Sequence, residues 1–292
     1  MSTATVRRPA AAAMFPRHLP WTDRAGRLSR LKLATFLALL APALLLLADA
    51  LAGTLGARPW DEAVHRVGWW TTLFLLASLA VTPLRRVLRW GELMSVRRMV
   101  GVTVFFGALL HLVLYTGQEA WNLPKVASEI VLRFYLTIGF VALLGLGALA
   151  ATSTDGMVRR LGGPRWQKLH KLVYPIALLT LVHFFLQVKN DVTEPLLFSG
   201  LFAWLMLYRL WNWKIGSPGT KALGALALLP AVATAGLEIA LITLKYPVSI
   251  TTMLQAQFDF AAGIRPAWWV LTAGLAVACI AEIRRRQKLR AA

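Results

Sequence analysis

"RWQKLHKLVYPIALLTLVHFFLQVK" (Arg165 to Lys189) decides the fold class. A basic start gives way to an apolar run of membrane-spanning length, about 17 to 25 residues. Comparable runs cover 32–52, 67–84, 99–117, 130–151, 169–188, 196–212, 222–243 and 266–283, eight candidate spans in all. With 58% hydrophobic residues in 292 and a mean hydropathy of +0.60, the chain is too apolar for a soluble globule. The expected fold is all-α, a polytopic membrane helix bundle.

A formal charge of +19 would suggest a nucleic-acid partner in a soluble protein. Here the 32 Lys and Arg sit between the apolar runs, so no nucleic acid is expected and the membrane lipid is the surroundings. With the N-terminus placed inside, 25 of them fall in the inner segments; only Arg58, Arg66, Lys125, Arg133, Lys189, Lys245 and Arg265 fall outside. That asymmetry places both termini in the cytoplasm. "LADALAG" after the first run imitates a signal-peptidase site at Ala48 to Ala50, but the run is longer than a leader's apolar region and is read as a retained helix. Cys279 is the only cysteine, which excludes disulfides, Cys-ligated iron–sulfur clusters and c-type haem attachment within this chain.

Three segments are expected: a basic, disordered tail over 1–30, a six-helix block over 31–213, and an extension over 214–292 with two further spans beyond the turn "WNWKIGSPGTK". "GLGALA" (Gly145 to Ala150) matches a dinucleotide fingerprint in form, but it lies inside an apolar helix with no strand before it. Close helix packing is the expected use of its glycines.

Five histidines occur, at 18, 65, 111, 170 and 183. A histidine deep in a bilayer is costly and normally faces a partner inside the bundle. His111 lies twelve residues beyond Met99, and His183 thirteen beyond His170. Both spans run inside to outside, so the two imidazoles rise about 18 and 20 Å at 1.5 Å per residue. They reach one level, on the outer side of the midplane. Two imidazoles at matched depth on separate helices can clamp a flat macrocycle as a bis-His haem b; alternatively each bonds a neighbouring helix. No carboxylate accompanies them at that depth, which disfavours other metals. Arg97 stands near the inner edge within about 40° of the face of His111. His170 is also near the inner edge, about 140° around its helix from His183 unless Pro175 bends it.

"RRMVGVTVFFGALLHLVLY", "RFYLTIG", "ATSTDGMVRRLGGPRWQKLHKLVY", "VHFFLQVK" and "HRVGWW" together resemble the MsrQ (YedZ) membrane subunits, within the ferric-reductase-like transmembrane group. The resemblance covers about 30–213. It implies a haem b and FMN-binding protein of the bacterial inner membrane. Such a subunit passes quinone-pool electrons to a periplasmic molybdopterin enzyme that reduces protein methionine sulfoxide, and a cytosolic flavin reductase is an alternative donor. Carried over, His111 and His183 take the haem-ligand positions and His170 is the third histidine of the pattern. In the NADPH oxidases and ferric reductases a fourth histidine would stand where this chain has Arg97, which leaves the inner site to flavin, quinone or a haem with an unusual ligand.

Arg133 and Tyr135 either contact a haem propionate or anchor the helix at the interface. His65 either borders the haem, meets the partner or is solvated. The inner cations Arg97, Arg98, Arg159, Arg160, Arg165 and Lys168 suit an FMN phosphate, although topology already accounts for them. "TSTDGM" (Thr152 to Met157) offers caps for a short loop helix. With both axial positions filled, haem suits one-electron transfer, with electrons expected to enter on the cytoplasmic side. This chain alone is not expected to oxidise NADPH. The alternative reading is a self-contained ferric or cupric reductase or b-type cytochrome.

Overall fold

The computed structural model describes residues 19–23, 25–188 and 191–290. Most of the basic tail, with His18, and the outer Lys189 lie outside the described residues. Thr22 bridges Leu28, and Lys32 Nζ donates to the Thr22 carbonyl at 2.8 Å.

Outer and inner below denote the ends that the charge pattern assigns to the two sides. α1 (Arg30–Leu51) starts at a Ser29 cap and α2 (Pro59–Val87) at Pro59, whose fixed φ suits the first turn. α3 (Arg97–Gln118) follows a short 3-10 turn. The fourth run is not one helix as expected. A ten-residue amphipathic helix, α4 (Leu123–Leu132), ends at Arg133, whose extended backbone (φ −101°, ψ 106°) separates it from α5 (Phe134–Ala151). The apolar run 130–151 continues across Arg133, so length and apolarity do not mark the break.

In the inner loop, Thr154 caps α6 (Asp155–Leu161) by accepting from the Met157 N–H at 3.2 Å. The expected fifth span divides into α7 (Gly163–His170) and α8 (Val173–Gln187). The break falls at Lys171 and Leu172, one turn before Pro175. The proline has no N–H for the Lys171 carbonyl and its ring crowds that carbonyl. α9 (Thr193–Lys214), α10 (Thr220–Lys245) and α12 (Pro266–Arg290) complete the bundle; the expected outer loop 244–265 contains α11 (Ile250–Ala256) and a second 3-10 turn.

Among the described residues seven spans, counting α7 and α8 as one, are long and apolar enough to cross a membrane. α9 has the length but is not among them. Arg209 within it is satisfied internally, donating to the carbonyls of Leu79 at 2.6 Å and Leu205 at 2.9 Å and to the Tyr174 hydroxyl at 3.2 Å.

Lipid offers no hydrophobic drive between helices, so close packing must hold them together. Leu75, Leu79, Val104, Leu146, Ala177 and Phe198 join α2, α3, α5, α8 and α9 in one core. Gly145 admits Ile176 and Gly147 admits Phe105, the packing role expected for "GLGALA". On the extension, Gly200 admits Val270 and Thr234, and Gly274 admits Ala227, drawing α9, α10 and α12 together. A buried polar knot ties the outer end of α10 to the loop that leads into α12: Glu238 pairs with Arg265 at 3.3 Å and accepts from Gln257 at 3.0 Å.

Candidate functional site

α2, α3, α5 and α8 leave between them a cavity of about 560 Å³ toward the outer end. This lies within the roughly 300–1,000 Å³ typical of cofactor and ligand sites. His111 enters from α3 and His183 from α8, with ring centres 6.3 Å apart and planes at 87°. The depth match read from the sequence thus brings the two rings together across one space.

Each ring is held in the same way. His111 Nδ1 lies 2.9 Å from the Val64 carbonyl, and His183 Nδ1 lies 2.8 Å from the Tyr135 carbonyl. A carbonyl only accepts, so Nδ1 carries the hydrogen in both rings and Nε2 keeps its lone pair. Four residues beyond each carbonyl stands a glycine, Gly68 and Gly139. A Cβ at Gly68 would lie 3.1 Å from the His111 ring, and one at Gly139 would lie 2.8 Å from the His183 ring. In a helix, carbonyl i already accepts from N–H i+4, and the absent Cβ at i+4 lets an imidazole reach the second lone pair. "HRVGWW" and "RFYLTIG" contain these glycines, but the sequence reading weighed His65, Arg133 and Tyr135 in those motifs and missed the glycines.

Ring centres 6.3 Å apart leave room for one metal ion between the two imidazoles, whose nitrogens bind metals at about 2.0–2.1 Å. A carbonyl bond from the far nitrogen is the usual support for a metal-bound histidine. Among the described residues no group of three His, Cys, Asp or Glu side chains could hold a metal ion.

Toward the outer mouth, Arg133 donates to Glu129 at 3.0 Å and to the Tyr135 hydroxyl at 3.1 Å, and the Tyr115 hydroxyl donates to the same Glu129 carboxylate. Arg133 and Tyr135 both line the cavity. Tyr135 therefore contributes its carbonyl to His183 and its hydroxyl to Arg133. His65 lines the mouth with Nε2 3.2 Å from Glu194. Lys125 is held above the usual ammonium range by the Glu119 carboxylate it hydrogen-bonds, 2.5 Å away.

His170 and Arg97 do not line this cavity. His170 stacks on Trp166 with ring centres 3.9 Å apart, its Nδ1 3.1 Å from the Trp166 carbonyl and its Nε2 3.3 Å from the Ser153 hydroxyl. Arg98 pairs with Asp155 at 2.6 Å. Half-buried Arg97 has no hydrogen bond or ion pair among the described residues, and its neighbours include the Tyr174 hydroxyl and the Arg209 guanidinium.

A family model described as ferric reductase like transmembrane component matches residues 67–181. The chain is 46% identical over 189 residues to the protein-methionine-sulfoxide reductase heme-binding subunit MsrQ of Rhodospirillum rubrum, covering 64% of this chain and 88% of that one. The subunit of the same name from Herminiimonas arsenicoxydans is 39% identical over 202 residues, 68% of this chain and 93% of its own. That of Xanthomonas oryzae pv. oryzae is 43% identical over 171 residues, 58% and 77%. No solved structure matches.

Proposed function

The chain belongs to the MsrQ family of membrane subunits, and from that premise we propose that it is the haem-binding electron-transfer subunit of a system that reduces methionine sulfoxide in proteins. His111 and His183 hold the iron of a haem b through their Nε2 atoms. The observation that carries this reading is the shared cavity in which both Nδ1 atoms are committed to carbonyls, leaving both Nε2 lone pairs free.

When bound, haem supplies a one-electron carrier with no open position for oxygen or substrate. The chain's own residues do the rest. Val64 and Tyr135 orient the rings, Gly68 and Gly139 make room for them, and apolar walls such as Leu75, Val104 and Leu146 exclude water. Arg133, set at the mouth beside Glu129 and Tyr135, is the cation nearest the cavity for a haem propionate.

Electrons come from the quinone pool or a reduced flavin, a cytosolic flavin reductase being a further source, and leave to a periplasmic molybdopterin-containing methionine sulfoxide reductase subunit. Arg97, with no carboxylate of its own, and His170 mark the inner site, where FMN is the favoured occupant. The six-helix block 31–213 carries this function, α9 crosses the inner membrane with the other spans, and both termini are cytoplasmic. The extension 214–292 packs peripherally on α9 through Tyr208, Leu223, Leu226 and Ala278.

The deciding experiment is the visible spectrum, with haem and FMN counted per chain, for wild type and the His111→Ala, His183→Ala and His170→Ala variants. A wild-type chain without a Soret band after expression with ample haem would sink the reading. The match to ferric-reductase-like components favours a second reading, a self-contained metal reductase. Chelated iron reduced as fast as the periplasmic partner would support it.

A further inference from the structure

We propose that the groove between α1, α2 and α3 binds a membrane-soluble quinol and delivers its electrons across the wall shared with the histidine cavity. The inference rests on the quinol-donor reading above and adds the place where the donor sits. It moves electron entry from the cytoplasmic side, expected from the sequence, to the outer half of the bundle.

The groove has a volume of about 500 Å³. No residue of α1 is buried, and the groove-lining Leu40 and Leu45 are exposed, so the groove opens on the apolar flank of the bundle. Its lining is mostly apolar and partly aromatic, with Leu39, Ala43, Leu46, Trp70, Phe74 and Phe106 among its residues. Three polar features interrupt it. Asp49 and Arg66 pair at 2.6 Å at the outer end, and Thr103 bonds its hydroxyl to the Met99 carbonyl at 3.0 Å. The third is Thr71.

Thr71 lines both the groove and the histidine cavity, and it is only 8% exposed. A threonine inside a helix normally returns its hydroxyl to the carbonyl four residues back. Thr72, Thr103, Thr180 and Thr234 do so. The Thr71 hydroxyl has no hydrogen-bond partner among the described residues. The hydroxyl is not sealed off from the open space beside it, so it is available to bond an occupant. Opposite stands Gly107, where any Cβ would collide with Thr71 Oγ1, so α3 closes directly onto that hydroxyl and the wall between the two cavities is one side chain thick.

An acyl chain fills an apolar groove but offers nothing to the Thr71 hydroxyl. A quinol offers a flat ring for Trp70, Phe74 and Phe106, a hydroxyl or carbonyl oxygen for Thr71, and a tail that stays in lipid. Oxidation of one quinol to quinone releases two electrons and two protons. The electrons would be taken up singly by a haem that His111 and His183 would hold on the far side of Thr71, and the protons leave at the outer end, where Asp49 and Glu62 meet solvent. Reduction of one sulfoxide to the thioether takes up two electrons and two protons and yields one water, so the overall exchange balances.

The test uses the haem-loaded full chain in phosphatidylcholine vesicles with decylubiquinol as probe, and reads haem reduction by stopped flow. Thr71→Val removes the hydroxyl at constant shape; Ala43→Trp fills the groove from the α1 side, away from the haem. Both should lose at least tenfold in the rate with quinol, and Ala43→Trp, which does not touch the histidine cavity, should keep wild-type haem content and dithionite-reduced spectra. On haem-free protein, an azido-ubiquinone photolabel should mark α1, α2 and α3 and be displaced by decylubiquinol. Labelling around Arg97 and His170, or displacement by phosphatidylcholine as readily as by quinol, would overturn the groove assignment. So would a wild-type rate in Ala43→Trp while the wild type is reduced, which leaves the donor reading intact. Wild-type haem that decylubiquinol fails to reduce removes the donor reading, and the proposal falls with it.

Discussion

Replacing Gly139 with alanine sets helix propensity against the geometry of the histidine cavity. In the middle of α5, alanine is favoured over glycine by about 1 kcal/mol, so local structure predicts a more stable helix. The new Cβ, however, would lie 2.8 Å from both Cε1 and Nδ1 of His183 and 3.2 Å from Cγ. Ordinary contact begins at 3.4 Å, so the ring must withdraw by about 0.6 Å. If the whole ring backs away from α5, its Nδ1 bond to the Tyr135 carbonyl stretches from 2.8 Å to beyond the roughly 3.2 Å limit of a good N–H···O bond. If it holds that bond and pivots, Nε2 moves by several tenths of an ångström, more than the about 0.2 Å a metal–ligand distance tolerates. Either way one support of the ligand is lost, and loss of such a support costs about 10- to 100-fold in metal affinity. Gly68→Ala is the graded comparison, since its Cβ would lie 3.1 and 3.2 Å from His111 and asks for about half the movement. Gly147→Ala, on the same helix but against Phe105 at 3.3 Å, is the control. The assay is haem per chain, by pyridine haemochrome, with the low-spin signal by electron paramagnetic resonance, on monodisperse protein of wild-type helicity. The expected order of haem loss is Gly139→Ala, then Gly68→Ala, with Gly147→Ala unaffected. Full haem and an unchanged low-spin signal in Gly139→Ala would refute the reasoning.

His111→Ala and His183→Ala should each reduce the Soret absorbance per chain at least tenfold, while His170→Ala, whose ring lies on Trp166 outside the cavity, should keep it; loss of the band in the His170 variant alone would reverse the ligand assignment. Arg97→Gln should lower FMN per chain at least threefold with the haem band intact, measured by equilibrium dialysis. Glu238→Ala leaves Arg265 and Gln257 without their buried partner, a loss of about 3–5 kcal/mol for a broken buried pair. Its melting temperature in detergent should drop by several degrees while the haem spectrum before melting stays that of wild type; an unchanged melting temperature would show that the knot does not hold the extension.

Length and apolarity alone located the helices, because a bilayer of fixed thickness demands runs of fixed length. They did not reveal Arg133 or the Lys171–Leu172 step as breaks. The first interrupts a run whose composition is continuous, and the second lies one turn upstream of the proline that causes it. The charge pattern sets Arg209 among the inner cations, whereas its three hydrogen bonds to α2, α8 and its own α9 depend on the helices lying side by side.

By itself the sequence determined how high each histidine stands. The rise per residue is constant, so counting from Met99 and His170 placed His111 and His183 at one level. What a count along one helix does not contain is its rotation relative to a neighbour. The tertiary structure decided that the two rings face each other 6.3 Å apart, that Val64 and Tyr135 hold them, and that Gly68 and Gly139 clear their path. It also set the Thr71 hydroxyl in the wall between two cavities. Those facts depend on helix-to-helix packing, which is settled by which small residues let which backbones approach.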